Sequence, residues 1–336
     1  MLTTDVISWS RSLTDPALHR AVHTLPPSMR HGAGYHLGWW DQHGTPTRGN
    51  PGKAVRPALV LLSARGVGGA AENAVPAAVA VELVHNFSLV HDDVMDGDPV
   101  RRHRPTTWSV FGVPEAILVG DALLALACQV LARQGGRAGA LGVQWLSEYV
   151  LALCDGQSAD LAFEKRDSVT LTECLTMVAG KTGALLGGAC ALGALAGGAS
   201  PAQVVALRAF GEHVGLAFQL VDDLLGIWGA PEVTGKSAGN DLRSKKKSLP
   251  VVAALTSGTT AGAELAARYT APEPIEPGEV AELAALVEAA GGRRWAQQQA
   301  GAQVALAVDR LESARCDPAA ATELLELARR LTHRDH

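Results

Sequence analysis

Two runs of carboxylates, Asp92-Asp93-Val94-Met95-Asp96 and Asp222-Asp223, stand inside stretches that are otherwise apolar and helix-like. Ionised groups resist burial unless they are paired or bound to metal, so helices carrying them cannot simply be packed into a core. Both runs have lysines and arginines nearby in sequence. Oxygen-only ligands suit hard cations, and Mg²⁺ is commonly held by a few carboxylates together with phosphate oxygens. The pattern points to a Mg²⁺–phosphate site carried on helices.

The remainder of the chain reads as helix. Ala and Leu dominate, and β-branched alternation is rare. Apolar residues recur at three- and four-residue spacing, as from Leu118 to Leu131 and from Val280 to Ala290. Punctuation falls between such stretches, at residues 43–52, 65–69, 134–136, 197–201 and 271–274. With no composition shift and no repeat, the expectation is an all-α fold, a single-domain helical bundle over residues 1–336.

Several function classes are disfavoured. A net charge of -5 offers no global attraction for nucleic acid. Five scattered cysteines, odd in number and without a CxxC, read as small buried hydrophobes in a reducing compartment. The first residues lack the basic-then-apolar pattern of a secretory signal. The expected location is cytoplasmic. The stretch from Gly183 to Gly198 is short for a membrane span and mostly Gly and Ala, so a tightly packed core helix is expected instead.

Helical periodicity organises the acidic residues. With residues 77–96 on a helix, His85, Leu89, Asp92 and Asp96 share one face. With residues 201–228 on another, Gly215, Gln219, Asp222 and Gly226 do the same. Opposed across a cavity, these faces bring Asp92, Asp96 and Asp222 to several Mg²⁺ ions and, through them, to a diphosphate. The bland alternative for the first run is a solvated helix end before a Gly-Asp-Pro turn. Basic elements alternate with the acidic ones: Lys53 and Arg56 opening an apolar helix, Arg101-Arg102, Lys181-Thr182, Gly235-Lys236 and Lys245-Lys246-Lys247. The alternation implies more than one phosphate group beside the metals.

From Gly52 to Pro250 the chain resembles the trans-isoprenyl diphosphate synthases, the polyprenyl synthetase family. The likeness rests on Gly52 to Pro57, Glu82 to Asp96, Arg101-Arg102, Gly156-Gln157 with Asp160, Lys181 to Gly183, Phe218 to Gly226, and Gly235-Lys236 through Asp241-Leu242 to Lys246 to Pro250. The motif-bearing core spans about residues 50–255. The resemblance implies a helical bundle of the isoprenoid synthase type with a central cavity. It implies a short-chain prenyltransferase, of the geranylgeranyl (C20) or farnesyl (C15) diphosphate synthase kind, joining isopentenyl diphosphate to an allylic diphosphate. It further implies Mg²⁺, three ions with the diphosphate, and a homodimer. By the family pattern Asp92, Asp96 and Asp222 ligate the metal, with Asp93 and Asp223 in support. Arg101, Lys181 and Lys236 hold the allylic diphosphate, while Lys53, Arg56, His85 and Arg102 hold isopentenyl diphosphate. Thr182 and Gln219 aim oxygens at the carbocation, Lys246 closes the site, and Phe87 floors the cavity.

Two departures stand out. Ala54 replaces a basic residue usual in the first basic element, which predicts weaker isopentenyl diphosphate binding. Gly226 replaces the third Asp usual in the second acidic motif, which predicts a metal shell with water in place of a carboxylate. Phe87 beside the small Ser88, with no insertion in the acidic motif, looks most like a C20 enzyme, then C15. Competing readings are a class I terpene cyclase, which needs no second diphosphate site, a non-catalytic partner subunit, and a metal phosphohydrolase on His91-Asp92.

Overall fold

The computed structural model describes residues 3–47, 52, 54–229 and 239–332. These residues are overwhelmingly helical, and the one sheet among them is a two-stranded hairpin. The expected all-α class is what the structure shows. The described residues divide into two compact units that interleave along the chain. One comprises those up to Val150, with Gly188–Arg208 and Leu311–Leu327; the other comprises Leu151–Gly187, those of Ala209–Arg310, and those from Ala328 on. The divisions fall inside continuous helices, which is why no linker composition marks them.

In the first unit, α1 (Thr3–Val22), α2 (Pro27–His36), α3 (Val55–Gly66), α4 (Val75–Met95), α5 (Thr107–Phe111) and α6 (Val113–Ala132) follow in order. Pro76 in the first turn of α4 suits a helix start, because the missing N–H would be unsatisfied there anyway. Leu59, Leu61 and Leu62 of α3, Leu83 of α4, and Leu123 and Leu131 of α6 are fully buried and form the core that fixes α4. Between α4 and α5 lies the hairpin, β1 (Val100–Arg101) against β2 (Arg104–Pro105). Its two turn residues, Arg102 and His103, both have positive φ, at 51° and 63°. That is the backbone twist a two-residue hairpin favours, and normally Asn or Gly supplies it. Helix α7 (Gly136–Glu164) follows.

In the second unit, α8 (Leu171–Val178) opens with a capping box between Thr170 and Glu173. It runs into a single π-helical turn, Ala179–Gly183, before α9 (Ala184–Ala196). Helix α10 spans Pro201–Trp228, the bounds that periodicity predicts. Phe163, Cys174, Leu220, Leu224, Leu249 and Val252 form one core around its later turns, and Ile227, Leu242, Val251, Leu265 and Val287 another.

The Gly/Ala-rich stretch is a core helix, as expected from its composition. A Cβ at Gly193 would stand 2.1 Å from the Val60 carbonyl oxygen, so only glycine permits this crossing of α9 and α3. Four helical segments, Ala71–Met95, Val113–Ala132, Leu171–Ala196 and Pro201–Trp228, are nonetheless long and apolar enough to cross a membrane by length and composition.

Candidate active site

In the first unit the end of α4 sorts its carboxylates by periodicity. Asp92 is half-buried and Asp96, which caps the helix, is exposed. Asp93 points the other way and is 1% exposed. Its Oδ1 accepts a hydrogen bond from Arg101 Nε at 2.6 Å, while Oδ2 is enclosed. Burial pushes the Asp93 pKa up and Arg101 opposes that. This enclosed carboxylate is committed to the guanidinium and fixes Arg101, so among the residues expected around the metal Asp93 stands in support of Asp92 and Asp96.

The hairpin delivers the arginines. Arg104 bolts it to α2 by donating to the Tyr35 and Trp40 carbonyl oxygens at 3.2 and 3.1 Å, and Tyr35 Oη donates to the Pro105 carbonyl at 2.8 Å. The Arg102 guanidinium lies against Gly52, whose φ of +83° and missing Cβ admit it. Arg11 of α1 donates to the Gly52 carbonyl. His85 sits where these charges meet. Burial first, then Arg56 and Arg102, hold its pKa well below the ordinary value, so the imidazole is neutral. Glu82 is buried one turn before it, beside Arg56 and Asn86. Asn86 Nδ2 donates to the Glu82 carbonyl and carboxylate at 2.8 and 3.2 Å. Its Oδ1 then accepts from His36 Nε2 at 3.1 Å, which sets the His36 tautomer. Phe87 is buried with its ring edge-on to His91 at 4.9 Å.

The second unit carries the other half of the predicted residues. Asp222 is exposed on α10, and Asp223, 4% exposed, is a structural hub. Asp223 Oδ1 accepts from Gln219 Nε2 at 2.8 Å, and Oδ2 accepts from the Leu249 backbone N–H at 2.9 Å. Burial raises its pKa to about 7, against the pull of Lys246. Like Asp93, this carboxylate is engaged by protein groups, Gln219 and the Leu249 backbone, beside the outward-facing Asp222. Thr182 Oγ1 donates to Gln219 Oε1 at 2.9 Å, so the side-chain amide is oriented from both ends. Lys181 Nζ lies 2.6 Å from Asp160 Oδ2.

The π turn sets this geometry. A Cβ at Gly156 would stand 2.3 Å from the Lys181 backbone nitrogen, so α7 crosses the turn at backbone contact. Single π turns often mark functional positions. Of the three consecutive lysines, Lys245 donates to the Ala271 and Glu273 carbonyls and anchors that loop. Lys247 lies near Asp167 and Glu164. Lys246 alone faces the acidic group: burial works against its charge, but Asp241, Asp160, Asp223 and Asp222 outweigh that and raise its pKa. Lys53 and Lys236 lie outside the described residues.

Sequence reading missed Arg11, His36 and Arg104, and it gave no role to Glu82, Asn86 and Asp241 although they lie in the motif stretches. A lone Arg in α1 carries no local signal. Among the described residues no three His, Cys, Asp or Glu side chains form a protein-only metal cage. The oxygen donors present nevertheless suit Mg²⁺, which keeps several waters and takes the balance from phosphate.

The sequence profile of the polyprenyl synthetase family matches residues 39–287. The chain is 46% identical to the (2E,6E)-farnesyl diphosphate synthase of Mycobacterium tuberculosis strain H37Rv, covering 99% of this chain and 93% of that one. The chain belongs to the polyprenyl synthetase family. The geranylgeranyl diphosphate synthase of the same mycobacterial strain is also 46% identical, over 97% of this chain and 92% of that one. The polyprenyl synthetase of Streptomyces coelicolor A3(2) superposes with a TM-score of 0.95 at 47% identity, over 98% of this chain and 100% of that one. A Corynebacterium glutamicum geranylgeranyl pyrophosphate synthase, 25% identical, has a TM-score of 0.81 over 99% and 98% of the two chains. It was solved with isoprenyl diphosphate and magnesium. As a polyprenyl synthetase of the short-chain trans type, the chain is a prenyl-transferring enzyme, and nothing in these relatives favours a cyclase or a non-catalytic subunit.

Proposed function

We propose that this polyprenyl synthetase joins isopentenyl diphosphate to an allylic diphosphate in a Mg²⁺-dependent head-to-tail condensation. The observation that carries the reading is the gathering of Arg56, Arg101 and Arg102 about the neutral His85, about two and three turns before Asp92 and Asp96 on the same helix. Such an array suits diphosphate oxygens beside metal-bound ones.

Asp92, Asp96 and Asp222 would hold Mg²⁺, three ions with the diphosphate. When bound, Mg²⁺ neutralises charge on the departing diphosphate. Arg101, held by Asp93, and Lys181, held by Asp160, then present fixed cations to that leaving group, with Lys236 completing them. Lys53, Arg56, His85 and Arg102 bind isopentenyl diphosphate. Thr182 and Gln219, locked to Asp223, turn oxygen lone pairs toward the developing carbocation, and Lys246 carries positive charge at the same acidic group. Apolar walls keep water from the cation. Proton loss from the condensed cation gives the lengthened allylic diphosphate.

The product is C20, with C15 as the second reading, since the two mycobacterial relatives are equally similar. Phe87 is the predicted floor, so Phe87→Ala should lengthen the product. We further propose a cytoplasmic homodimer that does not span the membrane. Purified enzyme incubated with MgCl₂, isopentenyl diphosphate and, separately, dimethylallyl, geranyl and farnesyl diphosphates tests this, with products sized by mass spectrometry. A C15 or C20 diphosphate is expected. A hydrocarbon or alcohol from the allylic substrate alone would overturn condensation, and an unchanged product from Phe87→Ala would remove it as the floor.

A further inference from the structure

A cavity of about 190 Å³ lies between α1, the turn after α2 and the start of α3. Helix α1 supplies one wall, with Thr14, Asp15 and His19, and Trp39, Ala54 and Glu82 supply others. Among the described residues, none assigned above to metal or to either diphosphate lines it. Helix α1 also ends before residue 39, where the match to the family profile begins. The cavity is therefore built largely by a part of the chain that lies outside that profile.

The walls define a chemistry. Thr14 is 2% exposed, and its Oγ1 has no hydrogen-bond partner. A buried hydroxyl left unpaired is costly, so one on a cavity wall offers a bond to an occupant. Asp15 stands 4.0 Å from Arg11, at the outer limit of an ion pair, while Arg11 donates to the Gly52 carbonyl. Burial pushes the Asp15 pKa up, and Arg11 and His19 oppose that. Burial, then His23, lowers the His19 pKa, so its ring adds no charge at neutral pH. Glu82 is a second buried carboxylate on the wall. The His19 ring stacks on Trp39 with centroids 3.5 Å apart, which makes an aromatic plate. A desolvated carboxylate beside such a plate attracts cations by charge and through the indole ring. The volume is below the roughly 300–1,000 Å³ of sites for drug-sized ligands, so it suits a single ring with a short polar head.

We propose that this cavity binds a small aromatic cation, an amidinium or ammonium head on one ring, with its N–H groups donating to Asp15 and Thr14 Oγ1 and its ring along Trp39 and His19. Ala54 is the wall that admits it. An arginine at 54 would fill the same space and bring its own cation to Asp15. The proposal is independent of the condensation reaction, so binding is read without substrates.

The full chain is titrated by calorimetry with three probes of one shape and different charge: benzamidine, benzamide and benzoate. Benzamidine should bind at least about tenfold tighter than benzamide, the difference expected of one hydrogen bond to a charged group. Benzoate should bind weakest. Asp15→Asn should erase most of the preference for benzamidine over benzamide, and Ala54→Arg should abolish benzamidine binding. Thr14→Val, which keeps the side-chain shape, should weaken benzamidine several-fold and serves if Ala54→Arg does not fold. The proposal is overturned by an absence of saturable benzamidine binding, by equal affinity for the three probes, or by an affinity that neither Asp15→Asn nor Thr14→Val changes. Displacement of benzamidine by excess MgCl₂ would put the cation at Asp92, Asp96 and Asp222 and overturn it as well.

Discussion

At the scale of single residues, Arg102 shows how function is held against local preference. Its φ of 51° places an L-residue in the left-handed region, which costs about 1 kcal/mol relative to glycine. The hairpin turn would be better served by Gly or Asn, yet Arg102 places its guanidinium against Gly52, among the charges that act on His85. Arg102→Gly should therefore raise the melting temperature by a few degrees, consistent with ~1 kcal/mol in a chain of this size. It should also raise the KM for isopentenyl diphosphate about tenfold. A stability gain without a KM change would separate Arg102 from substrate. His36 gives a pH prediction. Burial first, then Arg102 and Arg101, lower its pKa from the ordinary 6.5 to about 3. Between those values the unfolded chain binds a proton that the folded chain refuses. Stability therefore rises with pH across that window and is lost on acidification, by at most ~1.4 kcal/mol per pH unit from this group. His36→Gln should flatten the melting temperature against pH between 6.5 and 4, leaving the part that His85 contributes. An unchanged slope would mean that His36 is not held neutral.

At the scale of elements, α4 and the π turn do the placing. Helix α4 puts Asp92 and Asp96 on one face and Asp93 on another because adjacent helical residues differ by a hundred degrees, and the shared face of Asp92 and Asp96 was legible in the spacing. The π turn was not legible. Nothing in Ala179-Gly180-Lys181-Thr182-Gly183 distinguishes a widened turn from an α-helical one, because the decisive contact is with Gly156 of α7. A Cβ at 156 would press on backbone atoms, 2.3 Å from the Lys181 nitrogen and 2.8 Å from the Met177 carbonyl oxygen, which cannot rotate aside. Gly156→Ala should cost at least the 1–3 kcal/mol usual for overpacking. It should lower kcat by moving Lys181 and Thr182, while an unrelated helix substitution of equal stability cost leaves kcat alone. Chemical denaturation and steady-state kinetics read the two effects.

At the scale of the whole molecule, α6 carries the feature that the monomer leaves unexplained. It is among the most apolar helices, yet Val113, Ile117 and Leu118 are exposed on it at 42%, 42% and 50%. Contiguous exposed apolar surface marks association sites, and this supports the proposed homodimer. Leu118→Glu should shift the chain toward monomer in sedimentation or light scattering. A variant that sediments like wild type would move the interface elsewhere.

The sequence by itself determined the helical class, the span of α10, the two acidic motifs and the basic residues between them, because each is written in spacings of three and four residues or in contiguous motifs. It also led to the family, which the relatives confirm. The tertiary structure alone decided which carboxylates serve the protein and which face outward, since Asp93 and Asp223 are turned to partners eight and twenty-six residues away. It also showed what Lys245 and Lys247 do beside Lys246, the first anchoring the Ala271–Glu273 loop and the second lying near Asp167 and Glu164. Those outcomes depend on which atoms exclude one another where helices cross, and a linear pattern does not record that.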